Sequence, residues 1–529
     1  MTNTIFSFIP IIFLIWLMVR KNSMPSNQAL PLSALVLYFI SLIVFKWEPN
    51  LVHANVLKGL LVAWTPILII GGAIFLFETM KATGSLKTVT DWLNTITENK
   101  VAQLMIVGWA FPFLIEGASG FGTPAAIAAP VLVGLRFAPL NVAILALIMN
   151  SVPVSFGAVG TPTWFGFSAI ELTSAETMTI AIKSASIHST IALVIVTIAL
   201  MQLVNFKKIF ENIVFVILSV AFTVVPYLLV AFINYEFPSL IGGSIGLIAT
   251  AILAKYNIGL KKYSEEKSEI NPPLISIGRL VKATFPLWGT ILLLLITRIP
   301  EIGIKQFLTA TNPAFNISLG MLGDFSISSS LVIQLENIFL TPVNWSHSTL
   351  YVPSLIPFAI VSLITFRIQG STGREIKTTF KTTVDKMINP MYALLGSLVF
   401  VNLMMMGGEL SAVNHIGRML ANATGRHWTF FASYLGAIGS FFSGSATISN
   451  LTFAGIQDSI ALQTQISRTT ILALQSVGGA FGNMVCINNI VAVTSVLSIT
   501  NREGYILKRT VIPMLLYGAM AGSIALMLF

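Results

Sequence analysis

The 529-residue chain has one cysteine, Cys486, and only 9% charged residues. A single thiol excludes an intramolecular disulfide and any cysteine metal cluster. Soluble globular proteins carry about 25% charged residues, so this composition excludes an ordinary soluble enzyme. Acidic residues are the scarcer charges, 20 against 30 Lys and Arg, leaving a net charge of +10. That excess suits nucleic acid or a membrane surface. A nucleic-acid binder would cluster it on one face of a polar domain. Here the basic residues stand in short runs between apolar stretches of about 16 to 25 residues, the length of a bilayer-spanning helix. No Walker, HExxH or dinucleotide motif occurs, and no nucleophile–base constellation. No cofactor, metal or catalytic residue is therefore expected. The short alternating segments of a membrane β-barrel are also missing.

Apolar residues make up 55% of the chain. Their runs predict spans at 5–19, 30–46, 56–79, 179–203, 210–234, 239–255, 283–298, 349–367, 388–407 and 509–529. The first run has no basic residue before it and no small-residue cleavage site after it, so it reads as a retained span. Two further regions, 101–170 and 429–500, are apolar but broken by Gly, Pro, Ser, Thr and Asn. Each is too long for one span and is predicted to form a re-entrant hairpin followed by one discontinuous span. The expected fold is an all-α polytopic membrane protein of about twelve transmembrane helices plus two hairpins. The connection 299–348 is long and mixed and receives no firm assignment.

The positive-inside rule orients the chain. With both termini outside, 22 of the 30 basic residues fall in inside segments, among them Arg136, six residues in 255–282 and five in 367–386. Such segments also favour contact with anionic lipid. The polar stretch 255–282 reads as a cytoplasmic linker between an N-terminal half, 1–254, and a C-terminal half, 283–529.

The halves share an ordered series of matches. Ser151, Val152, Phe156 and Gly157 recur as Ser476, Val477, Phe481 and Gly482 at an offset of 325, while Pro66, Gly84 and Leu86 recur as Pro390, Gly408 and Leu410 at 324. A nearly constant offset indicates duplication. By the charge count 56–79 runs inward and 388–407 outward, so the repeats are of inverted topology. Interrupted helices at corresponding positions of inverted repeats point to the binding site of a secondary transporter.

The first break contains Glu116-Gly-Ala-Ser-Gly-Phe-Gly-Thr-Pro124. Its glycines release the backbone from helical geometry, and Pro124 suits the first turn of a new helix. Free N–H groups at that start, with hydroxyls from Ser119 and Thr123, favour an anion. Gly120 and Gly122 complete this candidate carboxylate site. Ser151 and Ser155 in the second break repeat this logic as candidate binding residues, and Ser443, Ser445, Gln475 and Ser476 in the other half add neutral polar groups expected to meet the ligand's hydroxyl. Close helix packing is a competing reason for such small residues.

Glu116 and Arg136 are the only charges between 101 and 170. An acid at membrane depth is a functional candidate, and Glu116 is the candidate proton-coupling group. His188, alone in a predicted span, is a second candidate for proton coupling. Histidines 53, 347, 415 and 427 show no ligand spacing. Asp458 and Arg468, ten residues apart, are expected to flank the second hairpin at the outer surface.

The runs Phe113-Leu-Ile-Glu-Gly-Ala-Ser-Gly-Phe-Gly-Thr-Pro-Ala-Ala-Ile-Ala128 and Met149-Asn-Ser-Val-Pro-Val-Ser-Phe-Gly-Ala-Val-Gly-Thr-Pro162 resemble the L-lactate permease family over nearly the whole chain. The motif of that family leads one to expect glycine where this chain has Arg136. The resemblance implies a bacterial plasma-membrane carrier that takes up L-lactate, D-lactate and glycolate with protons. It implies no nucleic-acid partner and leaves the oligomeric state open. The alternative on the same scaffold is a sodium-coupled di- or tricarboxylate carrier, which would favour basic residues in the breaks.

Overall fold

The structure, a computed structural model, describes residues 2–19, 24–93, 95–120, 123–261, 276–298, 302–352, 355–497, 499 and 502–529. The expected linker falls outside the described residues from 262 to 275. Among those described, nine helices are long and apolar enough to cross a membrane, or eleven when each of two bent helix pairs is one span. The protein is a multi-pass, mostly helical membrane protein. Its chain divides into two compact units, Met1–Ser85 with Lys282–Ala423 and Leu86–Val281 with Thr424–Phe529. Each unit draws on both halves of the sequence.

In the first unit the long helix Gly373–Met405 packs along Ser26–Ile43, Pro49–Val62 and Trp64–Ala82. Lipid offers no hydrophobic drive for helix association, so close backbone approach must supply the packing. Gly396 lies against the Pro31 backbone and Gly59 against the Val399 backbone, where a Cβ would collide. Buried Glu78 is paired by Lys386 Nζ at 2.5 Å, which neutralises the one carboxylate in that helix.

The mixed connection holds a four-stranded antiparallel meander: β1 Ala314–Ser318, β2 Asp324–Ser328, β3 Val332–Glu336 and β4 Trp345–Ser348. This sheet departs from the all-α expectation. Its strands have only four or five residues, too short for alternation to stand out within an apolar chain. The signal is nonetheless present, because Phe325 pairs with Leu335, and Leu335 with Trp345, across the register. These side chains pack with Ala54, Ile338 and Val343 against Leu51 and Leu57 of the helix Pro49–Val62. His347 closes the contact: its Nδ1 lies 2.8 Å from Thr65 Oγ1, and its ring stacks on Trp345.

The second unit contains the four segments of the two broken regions together with Ser174–Leu200, Ile213–Ala231, Pro238–Lys255 and Glu503–Leu528. The stretch Lys100–Ala118 is 94% buried within the protein, against 39% for Ile213–Ala231. The first is therefore a core element, whereas the second leaves most of its apolar surface for lipid. The helix Thr123–Gly134 ends in a paired hydrogen-bond closure, Phe137 N–H to Leu132 O at 3.3 Å and Arg136 N–H to Val133 O at 2.9 Å. This motif requires a left-handed residue, usually glycine. Arg136 occupies that place at φ 65°.

Two outcomes follow from these elements. Arg136→Gly is expected to stabilise the protein relative to Arg136→Ala by about 1 kcal/mol, the cost of left-handed backbone for a residue with a Cβ, read as a thermal midpoint in detergent. Burial holds the His347 imidazole below its ordinary value of 6.5. The unfolded chain then takes up a proton that the folded state refuses. Stability from this group is complete above pH ~6.5 and falls as the pH drops toward the lower folded value. Thermal midpoints between pH 8 and 5 should decline more steeply in the wild type than in His347→Gln.

Candidate functional site

Glycine and proline determine where the first hairpin turns. Its first arm runs through Lys100–Gln103, a π-helical segment Leu104–Ala110 and Phe111–Ser119. Gly120, at φ 63° and ψ −156°, ends it in a conformation open only to glycine, while its N–H still donates to Glu116 O at 3.0 Å. Glu116 thus sits one turn before the tip. Thr123–Gly134 forms the second arm. An aromatic chain, Trp109 to Phe113 to Tyr227 to Phe156, ties the first arm to the next break, and the Tyr227 hydroxyl donates to Val152 O at 3.3 Å.

That next break is a bent helix, Pro139–Met149 followed by Pro153–Trp164, turned by 56°. Inside it Ala158, Val159 and Gly160 have φ of 44°, 55° and 68°. For Ala and the β-branched Val this is strained backbone. In the other half, the hairpin arms Trp428–Ser443 and Ala446–Thr464 meet at Gly444, φ 72°, and Ser445. The second bent helix, Arg468–Val485 with Asn488–Thr494, turns by 40°.

All four irregular places lie in the second unit and share one partly open pocket with about 310 Å³ of empty space. Glu116 and Gly120 come from the first tip, Asn150, Gly157 and Ala158 from the first bend. Ser445 and Thr447 come from the second tip, and Asn483 from the second bend. Glu116 is the one charged residue of the described lining. Asn150 Nδ2 donates to its Oε2 at 3.0 Å, and a Cβ on Gly157 would lie 2.5 Å from its Oε1. Glycine at 157 therefore makes room for the carboxyl. Asn150 Oδ1 is buried and has no hydrogen-bond partner.

The structure brings some of the expected residues to this pocket and leaves others aside. Gly120, Ser445 and Glu116 line it. Gly122 lies outside the described residues, as do the side chains of Ser119 and Thr123, although both residues are helical. Ser151 Oγ donates to Ile148 O, and Ser443 Oγ to Gly439 O, so both close their own helix ends. Gln475 spans helices by donating to Ser449 Oγ and Asn450 Oδ1 while accepting from Gln457. Ser155, Ser476 and His188 form a buried network beside the pocket. Ser476 Oγ donates to Ser155 Oγ at 3.0 Å, Ser155 Oγ lies 2.9 Å from His188 Nε2, and Tyr517 OH lies 2.6 Å from His188 Nδ1. Both imidazole nitrogens are thus engaged by hydroxyls. Arg468 is paired with Asp458 and, at 3.0 Å, with Glu176, and none of the three lines the pocket.

Sequence reasoning missed Asn150, Thr447, Asn483 and Tyr517 as members of these sets. Asn150 opens the second break and Asn483 follows Gly482, so their place beside irregular backbone was visible. Nothing in the sequence distinguishes Tyr517 within its apolar helix.

A family model described as L-lactate permease matches residues 3–529. A Haemophilus influenzae protein named "Putative L-lactate permease" is 51% identical over 528 residues, which cover 100% of this chain and 99% of that protein. The L-lactate permease of Bacillus subtilis is 26% identical, with 96% of this chain and 92% of its own covered. Glycolate permease GlcA of Escherichia coli is 23% identical, with 99% and 95% covered.

The contact between Gly157 and the Glu116 carboxyl is testable by a double-mutant cycle. Gly157→Ala should lower stability by about 1–3 kcal/mol, as overpacking does. Most of that loss should vanish in a Glu116→Ala background, because residues in contact are not additive. Thermal midpoints of the four proteins in detergent measure the coupling, with Gly134→Ala, whose Cβ would meet nothing within 4 Å, as the neutral control.

Proposed function

The chain belongs to the L-lactate permease family, and on that premise we propose that it takes up L-lactate, with D-lactate and glycolate, together with protons by alternating access in the bacterial plasma membrane. Membership in a permease family supports transport of a small acid. The observation that carries proton coupling is the state of Glu116: a buried carboxyl in the pocket wall whose hydrogen-bond partner is the neutral Asn150 amide. No cation among the described lining residues neutralises it. A proton does so at little structural cost, and a neutral Glu116 no longer repels an anionic substrate. Binding of proton and substrate then favour each other reciprocally.

The substrate lies among the tips and bends, in contact with groups from Ser119, Gly120, Gly122, Thr123, Ser151, Ser155, Ser443, Ser445, Gln475 and Ser476. Gly120 and Ser445 support this reading directly as lining residues. Ser155 and Ser476, held by His188, join the two bends behind them. In this reading the halves 1–254 and 283–529 are inverted repeats joined by the cytoplasmic linker 255–282. Twelve spans and two re-entrant hairpins place both termini outside. A di- or tricarboxylate would call for basic partners, and the described lining offers none.

Purified protein in proteoliposomes tests the coupling. An inward proton gradient should drive lactate accumulation, and a sodium gradient alone should not. Glu116→Gln should abolish proton-driven accumulation and retain lactate exchange. Undiminished accumulation by Glu116→Gln would remove Glu116 from the mechanism.

A further inference from the structure

The pocket wall has two unlike sides. On one side Glu116 and Asn150 line the pocket together, and the Asn150 Nδ2 donates to Glu116 Oε2 at 3.0 Å. Asn150 is 5% exposed, and its Oδ1 has no partner. A buried acceptor without a donor is costly. An amide carbonyl cannot receive a carboxylate, which is itself acceptor-only, but it suits an O–H donor.

The other side presents donors. The 19-residue helix Ala446–Thr464 begins at the pocket, with Ser445 as its cap at φ −145° and ψ 121°. Ser445 Oγ accepts the N–H of Ile448 at 3.3 Å, so the cap serves the third helical residue. The N–H groups of Ala446 and Thr447, both lining residues, have no acceptor within the helix. They point the positive end of the helix dipole at the pocket. The remaining amide, Asn483, is occupied: its Nδ2 donates to Gly479 O at 3.0 Å and its Oδ1 accepts from Asn489 at 3.0 Å.

From this asymmetry we infer that Asn150 is the residue that selects 2-hydroxy acids: its Oδ1 accepts the substrate's 2-hydroxyl, while the carboxylate rests on the N-terminus of Ala446–Thr464. The assignment rests on the reading of this pocket as the lactate site. The substrate thereby lies with its charged end away from Glu116, the only charged residue of the described lining. Propionate has lactate's skeleton without the hydroxyl, and pyruvate has a carbonyl acceptor in its place. Either leaves Asn150 Oδ1 unpaired, and a site built to hydrogen-bond a hydroxyl discriminates against the analogue without it.

The experiment is counterflow of labelled L-lactate in proteoliposomes of the full chain at one fixed pH, with unlabelled L-lactate, propionate and pyruvate as competitors. In the wild type L-lactate should compete about tenfold or more better than either analogue. In Asn150→Leu that preference should collapse, through weaker lactate binding with propionate unchanged. Ala446→Pro removes one N–H at a position where proline fits, since Ser445 already has the extended backbone that precedes proline. It should weaken lactate and propionate alike and keep the preference. Equal competition by propionate in the wild type overturns the assignment without recourse to any variant. Lactate counterflow with an undiminished preference in Asn150→Leu overturns it too, and leaves the transport reading standing. Absence of lactate counterflow in the wild type overturns that reading and this assignment with it.

Discussion

A buried carboxyl with an amide for a partner is the constraint on which the second unit depends. Glu116 needs irregular backbone around it, because a regular helix has no spare polar groups and lipid supplies none. The chain meets that need with four interruptions that converge. Gly120 turns the backbone directly after Glu116, Gly157 leaves the space its carboxyl fills, and Asn150 supplies the single donor. Ala158, whose strained φ continues into Val159, lies in the same wall, beside the packing of Phe156 against Tyr227 and the Tyr227 bond to Val152 O. Strain of this kind persists only where surroundings over-determine it.

The contrast with the ion-paired acids is informative. Glu78 has Lys386, and Asp458 and Glu176 have Arg468. Those ion pairs tie segments distant in sequence together. Glu116 alone among these four has a neutral partner. His188 has no carboxylate partner in this network, where the Tyr517 and Ser155 hydroxyls engage both its nitrogens. It fixes the distance between the two bends through Ser155 and Ser476.

Much of this site was legible before any coordinates. The two broken regions, Glu116 and the small-residue tips stand out because Gly, Pro and a lone charge are conspicuous in an apolar chain. The sheet between Ala314 and Ser348 was not legible, because strands of four or five residues give too few repeats of the two-residue period. Arg136 was read as a charge at the membrane edge, whereas its backbone role at a helix end depends on hydrogen bonds from Phe137 and Arg136 to Leu132 and Val133. Ser151, Ser443 and Gln475 looked equivalent to the pocket residues by composition. Only their partners show that they close helix ends or bridge helices.

The sequence by itself determined the environment, the family and the positions where helices must break. Hydropathy, charge placement and the conformational range of glycine and proline act locally and leave a record in residue order. The tertiary structure decided which polar groups are spent and which are left over. Asn150 and Asn483 are the same residue type beside the same kind of break, yet one keeps an unpaired carbonyl and the other has both its carbonyl and its amide engaged. Hydrogen-bond satisfaction is a property of neighbours brought together from distant parts of the chain. It also leaves the pocket an unpaired acceptor at Asn150 in the first bend and the free end of a helix at the second tip.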